Sequence, residues 1–128
     1  AVMAEGVMHR VAIQVTQNDP AVMNMALNNA QNVANYYASV GDEVEIELVA
    51  YGPGLAMFVA GKSPVEERLS SMSLELPELR FAACGNTHAA MKKKAGGDVP
   101  LVSEVTMVKS GVVRLIELQE QGFAYIRP

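Results

Sequence analysis

One stretch of this 128-residue chain carries the residue types that nucleophilic chemistry needs: Cys84-Gly85-Asn86-Thr87-His88. Cys84 is the only cysteine. It closes an apolar run, Leu79 to Cys84, and precedes a segment of helical character. A thiol in that position faces unpaired backbone N–H groups and the positive end of a helix dipole, both of which favour the thiolate. Gly85 is expected to leave the sulfur open to approach, while Asn86 and Thr87 add hydrogen-bonding groups. His88, four residues on, is placed to meet the thiol across the first helical turn as base or counter-charge. Against this stands the ordinary fate of a free cysteine, which is burial as a small hydrophobe.

Other chemistries find less support. A structural zinc site wants four ligands, and beyond Cys84 and His88 the only further histidine is His9, so no metal site and no cofactor is expected. Gly52-Pro53-Gly54 lacks the third glycine of a dinucleotide fingerprint, and no nucleophile elbow or phosphate loop is present. That turn reads as a simple reversal after a strand. It nevertheless puts Tyr51, Gly52 and Gly54 at the strand end where they can line one crevice with Cys84.

The elements that must position these residues alternate along the chain. Arg10 to Thr16, Val44 to Ala50, Leu79 to Cys84, Val105 to Val108 and Phe123 to Ile126 read as strands. Between them, a long helix starts at Asp19-Pro20 and runs to about Val40, with Gly41 as its stop. A short apolar helix covers Leu55 to Ala60, and Ser63-Pro64-Val65-Glu66 reads as a capping box for a helix to about Ser73. Asn86 or Thr87 caps the next helix, whose last turn carries Lys92, Lys93 and Lys94 where the dipole favours them. Ser110 caps the last, with Val112, Val113, Leu115, Ile116 and Leu118 expected inward. The order predicts one α/β domain over residues 9–128, a three-layer α/β/α arrangement around a five-stranded, mainly parallel sheet, with chemistry at the carboxyl ends of the strands. Residues 1–8 read as a tag remnant or the tail of a processed leader.

Composition narrows the partners. Net charge is −4 and the three lysines are the only basic cluster, which argues against nucleic acid. The longest uncharged stretch, Pro20 to Gly41, contains five asparagines and is too polar to span a bilayer. A lone cysteine suits a reducing compartment, hence the cytoplasm. Asn24, Asn28, Asn32 and Asn35 form an amide stripe without charge, expected at a subunit interface or the wall of a polar pocket.

Four segments in this order, Leu27 to Asn32, Val49 to Gly54, Ala83 to Thr87 and Gly111 to Pro128, make the chain resemble the DsrE/DsrF-like (YchN-like) family of small α/β proteins associated with sulfur relay. The resemblance implies homotrimers or hexamers, sulfur donor and acceptor proteins as partners, and a cysteine that carries sulfane sulfur as a persulfide. That cysteine maps onto Cys84, with Asn86, Thr87, His88, Tyr51, Gly52, Gly54 and Asn28 as supporting residues. The alternative is a ligand- or partner-binding oligomer in which Cys84 is structural, or a thiol that senses or reduces peroxide.

Overall fold

In a computed structural model that describes residues 6–128, five strands form one parallel sheet in the order β4-β3-β2-β1-β5. They are β1 (Met8–Val15), β2 (Glu43–Ala50), β3 (Leu79–Cys84), β4 (Val105–Val108) and β5 (Ala124–Ile126). The helices are α1 (Pro20–Ser39), α2 (Glu66–Glu75), α3 (Gly85–Ala95) and α4 (Gly111–Glu120). Most of the residues expected to form a tail lie outside the described ones, but Met8 already belongs to β1 and the Val7 carbonyl accepts from the Glu43 amide at 3.0 Å.

The apolar periodicity sorts the helices onto the two faces. On one face Ile13, Val15, Ile46, Leu48 and Phe81 meet Met23, Leu27 and Ala30 of α1 and Leu69 and Met72 of α2. Burying each of the larger side chains stabilises the fold by roughly 1.5–3 kcal/mol. On the other face Ala12, Val49 and Ala82 meet Leu115 and Leu118 of α4. Small residues at two of these three sheet positions let α4 sit close to the strands.

Helix starts follow local chemistry. The Asp19 carboxylate accepts from the Ala21 amide at 2.9 Å, and Pro20 occupies the first turn where its missing N–H costs nothing. The expected capping box at Ser63 is not what starts α2: the Ser63 hydroxyl accepts from the Val65 amide in a local turn, and Glu66 reaches back to the Gly61 amide. The expected short helix lies earlier, as a 3-10 segment over Gly52–Phe58. It packs against β1 at Gly54, where a Cβ would lie 2.3 Å from the Val15 carbonyl oxygen, so only glycine fits.

Far from that end, His9 closes the opposite edge of the β1–β2 pair. Its ring stacks on Tyr37 with centroids 3.7 Å apart, and its Nε2 lies 2.8 Å from the Asp42 carboxylate. The hydrogen bonds from His9 and from the Val7 amide hold the Asp42 carboxyl below its ordinary value against a small opposing effect of burial. A depressed carboxyl contributes stability above its unfolded value, about 3.9, and loses that contribution as pH falls through the lower folded value. The stability difference between wild type and Asp42→Asn is therefore expected to be present at pH 5 and to shrink towards pH 2. Urea midpoints measured across that range check it.

Candidate functional site

The chain builds the sheet from β1 outward to β4 and then returns across the other face to β5. Right-handed crossovers consequently send α1, α2 and α3 to one face and α4 to the other. The loops that follow β3 and β4 leave these adjacent strands in opposite directions, which opens a crevice between their carboxyl ends. Cys84 is the last residue of β3 and pairs with Val108, the last of β4. Topology alone thus brings the N-termini of α3 and α4 together around one sulfur.

The contacts bear this out atom by atom. Cys84 is itself the N-cap of α3, a role expected of Asn86 or Thr87, and its sulfur accepts from the Thr87 amide at 3.4 Å. Burial pushes the Cys84 thiol up, but the Thr87 hydroxyl and the amides of Thr87, Gly111 and Asn86 together outweigh it and bring the thiol below its ordinary range. Thr87 is itself held in place, because its hydroxyl oxygen accepts from the Gly52 amide at 2.9 Å. The end of β2 thereby supports the group that supports the sulfur.

Gly111, which the residue pattern did not single out, opens α4 close to the sulfur, and its amide is among the groups that lower the thiol. A Cβ there would lie 2.8 Å from the Tyr51 side chain, so the missing side chain lets Tyr51 pack directly on the turn that delivers this amide. The available signal was the Ser110-Gly111 pair itself, a cap followed by a glycine at a strand end.

Several expectations are corrected. The sulfur is not open to solvent: Cys84 is 4% exposed, surrounded by donors rather than hydrocarbon alone but covered. Gly85 does not clear an approach, since its missing side chain accommodates the carbonyls of Val108 and Lys109, 3.0 and 3.4 Å from where a Cβ would be. His88 turns to the loop before β4, where its Nε2 lies 2.7 Å from the Val99 carbonyl oxygen, and acts as a brace there. Asn28 lies on α1, where its side-chain oxygen accepts from Arg68 at 2.6 Å, and takes no part in the cysteine's surroundings. Thr87 meets Cys84 directly, Gly52 supports Thr87, Tyr51 packs on Gly111, and Gly54 fixes the turn that carries Tyr51 and Gly52.

Beside the thiol, a depression of about 510 Å³ is lined by Asn86, Val108, Lys109, Ser110 and Arg114. A second, of about 390 Å³, shares Val108 and Arg114 with it and continues over Ala82 to Arg80, Thr106 and Glu47. The groove exists because α4 lies over β1, β2 and β3 and leaves the β3–β4 strip uncovered. A larger depression, about 720 Å³ between α1 and the start of α2, touches none of the cysteine's neighbours.

Glu47 lies at the floor of the groove, 3% exposed on a central strand. Arg114 binds both of its oxygens, Nε at 2.6 Å and Nη2 at 2.9 Å, and Arg80 approaches one of them at 3.2 Å. The Glu47 hydrogen bonds raise the Arg114 guanidinium above its ordinary value, outweighing burial. The readable hint of this ion pair was one acid within a strand turning apolar and one arginine within the apolar run of α4. Among the described residues no three His, Cys, Asp or Glu side chains gather as metal ligands, and no helix is long and apolar enough to cross a membrane.

The fold recurs in a solved structure titled as the protein of unknown function MTH1491 from Methanobacterium thermoautotrophicum. That chain is 30% identical, with a TM-score of 0.78 over 94% of this chain and 99% of the other. No protein-family model matches, and no curated protein matches.

Proposed function

For a chain that belongs to one family with the Methanobacterium protein, we propose a role in sulfur transfer through Cys84. The observation that carries this reading is the place of Cys84 as N-cap of α3, level with the end of β4 that leads into α4, with the Thr87 amide donating to its sulfur, a setting that favours the anion. The resemblance of the Ala83 to Thr87 segment to sulfur-relay proteins agrees with it.

The reaction is a thiolate exchange. The Cys84 thiolate attacks the outer sulfur of a donor persulfide, R–S–SH; the S–S bond breaks, Cys84–S–SH forms and the donor leaves as R–S⁻. An acceptor thiolate then attacks the outer sulfur of Cys84–S–SH, takes it, and frees the Cys84 thiolate. No net oxidation or reduction accompanies either step, so no cofactor is required. A second nearby thiol would intercept the persulfide and release sulfide, and the chain has none. Because Cys84 is covered, exchange requires a local opening between the sulfur and the adjoining groove that Lys109 and Ser110 line.

The burial of Cys84 favours one other reading, in which the thiol is structural and the groove lined by Asn86, Lys109, Arg114 and Glu117 holds an uncharged or anionic ligand. Alkylation of the folded protein separates the two. For a carrier, the rate rises with pH through a midpoint below that of a free cysteine, about 8.5. Incubation with a sulfane donor adds the mass of one sulfur to the intact chain. A thiol that alkylates only as the protein unfolds, and a mass that stays unchanged, would overturn the carrier role.

Thr87→Val sharpens the measurement, because it keeps the side chain's shape and removes the hydroxyl that helps lower the thiol. A hydrogen bond to a charged group contributes about 1.5 kcal/mol, which is roughly tenfold in thiolate population. The variant is expected to alkylate more slowly below its midpoint, by up to about tenfold. Its midpoint should move upward.

A further inference from the structure

The strip of sheet beside α4 has two chemically different ends. Alternate residues of a strand face one side, so Arg80, Ala82 and Cys84 form a line along β3, with Thr106 beside Ala82 and Val108 beside Cys84 on β4. At roughly 3.3 Å per residue the line runs about 13 Å from the arginine to the thiol. The depression of about 390 Å³ over Arg80, Ala82 and Thr106 shares Val108 and Arg114 with the one of about 510 Å³ beside Asn86, Lys109 and Ser110. The two are one groove. It starts at a guanidinium and ends beside the sulfur.

This groove is cationic in an acidic chain. Its lining carries Lys109, Arg114 and Arg80 against Glu47 and Glu117, whereas the whole chain has a net charge of −4. The Glu47 carboxylate is spent on Arg114 and Arg80 and is 3% exposed. Glu117 lies on the exposed side of α4, one turn beyond Arg114. Among the described residues no carboxylate pairs with Lys109, which follows Val108 and so stands at the thiol end.

We propose, resting on the sulfur-transfer reading of Cys84, that the groove receives the donor as an extended acidic peptide segment. Its persulfide cysteine lies at Cys84, one carboxylate next to that cysteine meets Lys109, and a second carboxylate four residues away meets Arg80. The spacing follows from the line itself, because an extended chain rises by the same roughly 3.3 Å per residue as the strand beneath it. A compact anion would reach one end only. A flat protein surface cannot approach a thiol that is 4% exposed, whereas a chain lying in the adjoining groove passes next to it. The chemical step is the exchange already given, with the peptide cysteine as the thiolate that leaves. Charges on a groove rim act chiefly on encounter and on salt dependence.

Peptide donors test the inference. The probe is the persulfide of a five-residue peptide with cysteine at one end, aspartate next to it, glutamate at the other end and glycine between, made in both chain directions. Its control carries asparagine and glutamine in place of the acids. Intact mass against time is expected to show sulfur uptake by wild type roughly tenfold faster from the acidic peptide in one of the two directions, the effect of two exposed ion pairs. That advantage should vanish at about 1 M salt, where the Debye length is about 3 Å, and should fall severalfold in Lys109→Gln. Equal uptake from acidic and amide peptides would overturn the acidic segment while leaving the role of Cys84 standing. Should neither peptide donate sulfur, binding decides separately: the same peptides with serine for cysteine, dye-labelled, are titrated with the Cys84→Ser chain and followed by anisotropy. Tighter binding of the acidic peptide that is lost in Lys109→Glu supports the groove assignment, and equal or absent binding overturns it.

Discussion

Cys84→Ser is expected to abolish sulfur uptake altogether while leaving the fold in place. The serine oxygen can still accept from the Thr87 amide, as N-cap serines do, so α3 keeps its cap. It cannot do what the sulfur does. An alkoxide at neutral pH is out of reach for a hydroxyl even with the Thr87 amide donating to it, and an O–S linkage would not return its sulfur to an acceptor thiol. Intact-mass measurement after exposure to a sulfane donor should therefore show one added sulfur on wild type and none on the variant. Thermal melts should differ little, because a buried serine in this setting is hydrogen-bonded. If the variant still gains sulfur, the sulfur is bound elsewhere and the role assigned to Cys84 is wrong. If it unfolds, Cys84→Ala, which removes the cap as well as the thiol, sets the comparison for how much of the loss is capping, typically about 1 kcal/mol.

The order of strands and helices was legible because each element carries its own periodicity and its own stop. Pro20 and Gly41 mark boundaries that the structure keeps to within a residue or so. The position of Cys84 at a strand end was legible for the same reason. Its burial was not, since it depends on residues far along the chain: Val108 pairs with Cys84 across β3 and β4, and the Asn86 amide donates to the Lys109 carbonyl at 3.2 Å. Sequence neighbours say nothing of such a contact. His88 failed as a candidate because four-residue helical spacing brings Cα positions together but does not fix where a long side chain points, and the Val99 carbonyl claimed it.

The last helix shows a different limit. Five apolar residues were expected inward, yet only Leu115 and Leu118 are buried, while Val112, Val113 and Ile116 are about half exposed. A helix lying alone on its face of a sheet buries one narrow stripe, and periodicity cannot tell a wide core-facing stripe from a narrow one joined to a second apolar surface. Similarly, the amide stripe on α1 was visible as a pattern, but its division was not: Asn24 and Asn28 receive Arg68, and the outward line through Asn28, Asn32 and Asn35 remains exposed.

Arg114→Met is expected to cost about 3 kcal/mol of stability, at the lower end of the range for losing one partner of a buried ion pair. Glu47 is 3% exposed and would keep only Arg80, whose approach of 3.2 Å comes from a side chain half in solvent. The loss is the uncompensated carboxylate, not the worth of the pair, and Glu47→Gln combined with Arg114→Met should recover much of it. For the double replacement the buried group is neutral and asks less of its surroundings. Arg114 also ties α4 to β2 three residues after Gly111, whose amide is among the groups that lower the Cys84 thiol. Loosening that tie should let the start of α4 drift from the thiol, so the variant's alkylation midpoint rises along with its loss of stability. Urea unfolding gives the first quantity and alkylation against pH the second. A variant that loses stability but keeps its midpoint would show that the ion pair holds the fold without tuning the thiol, and that the α4 amide stays in place by its packing on Tyr51 alone.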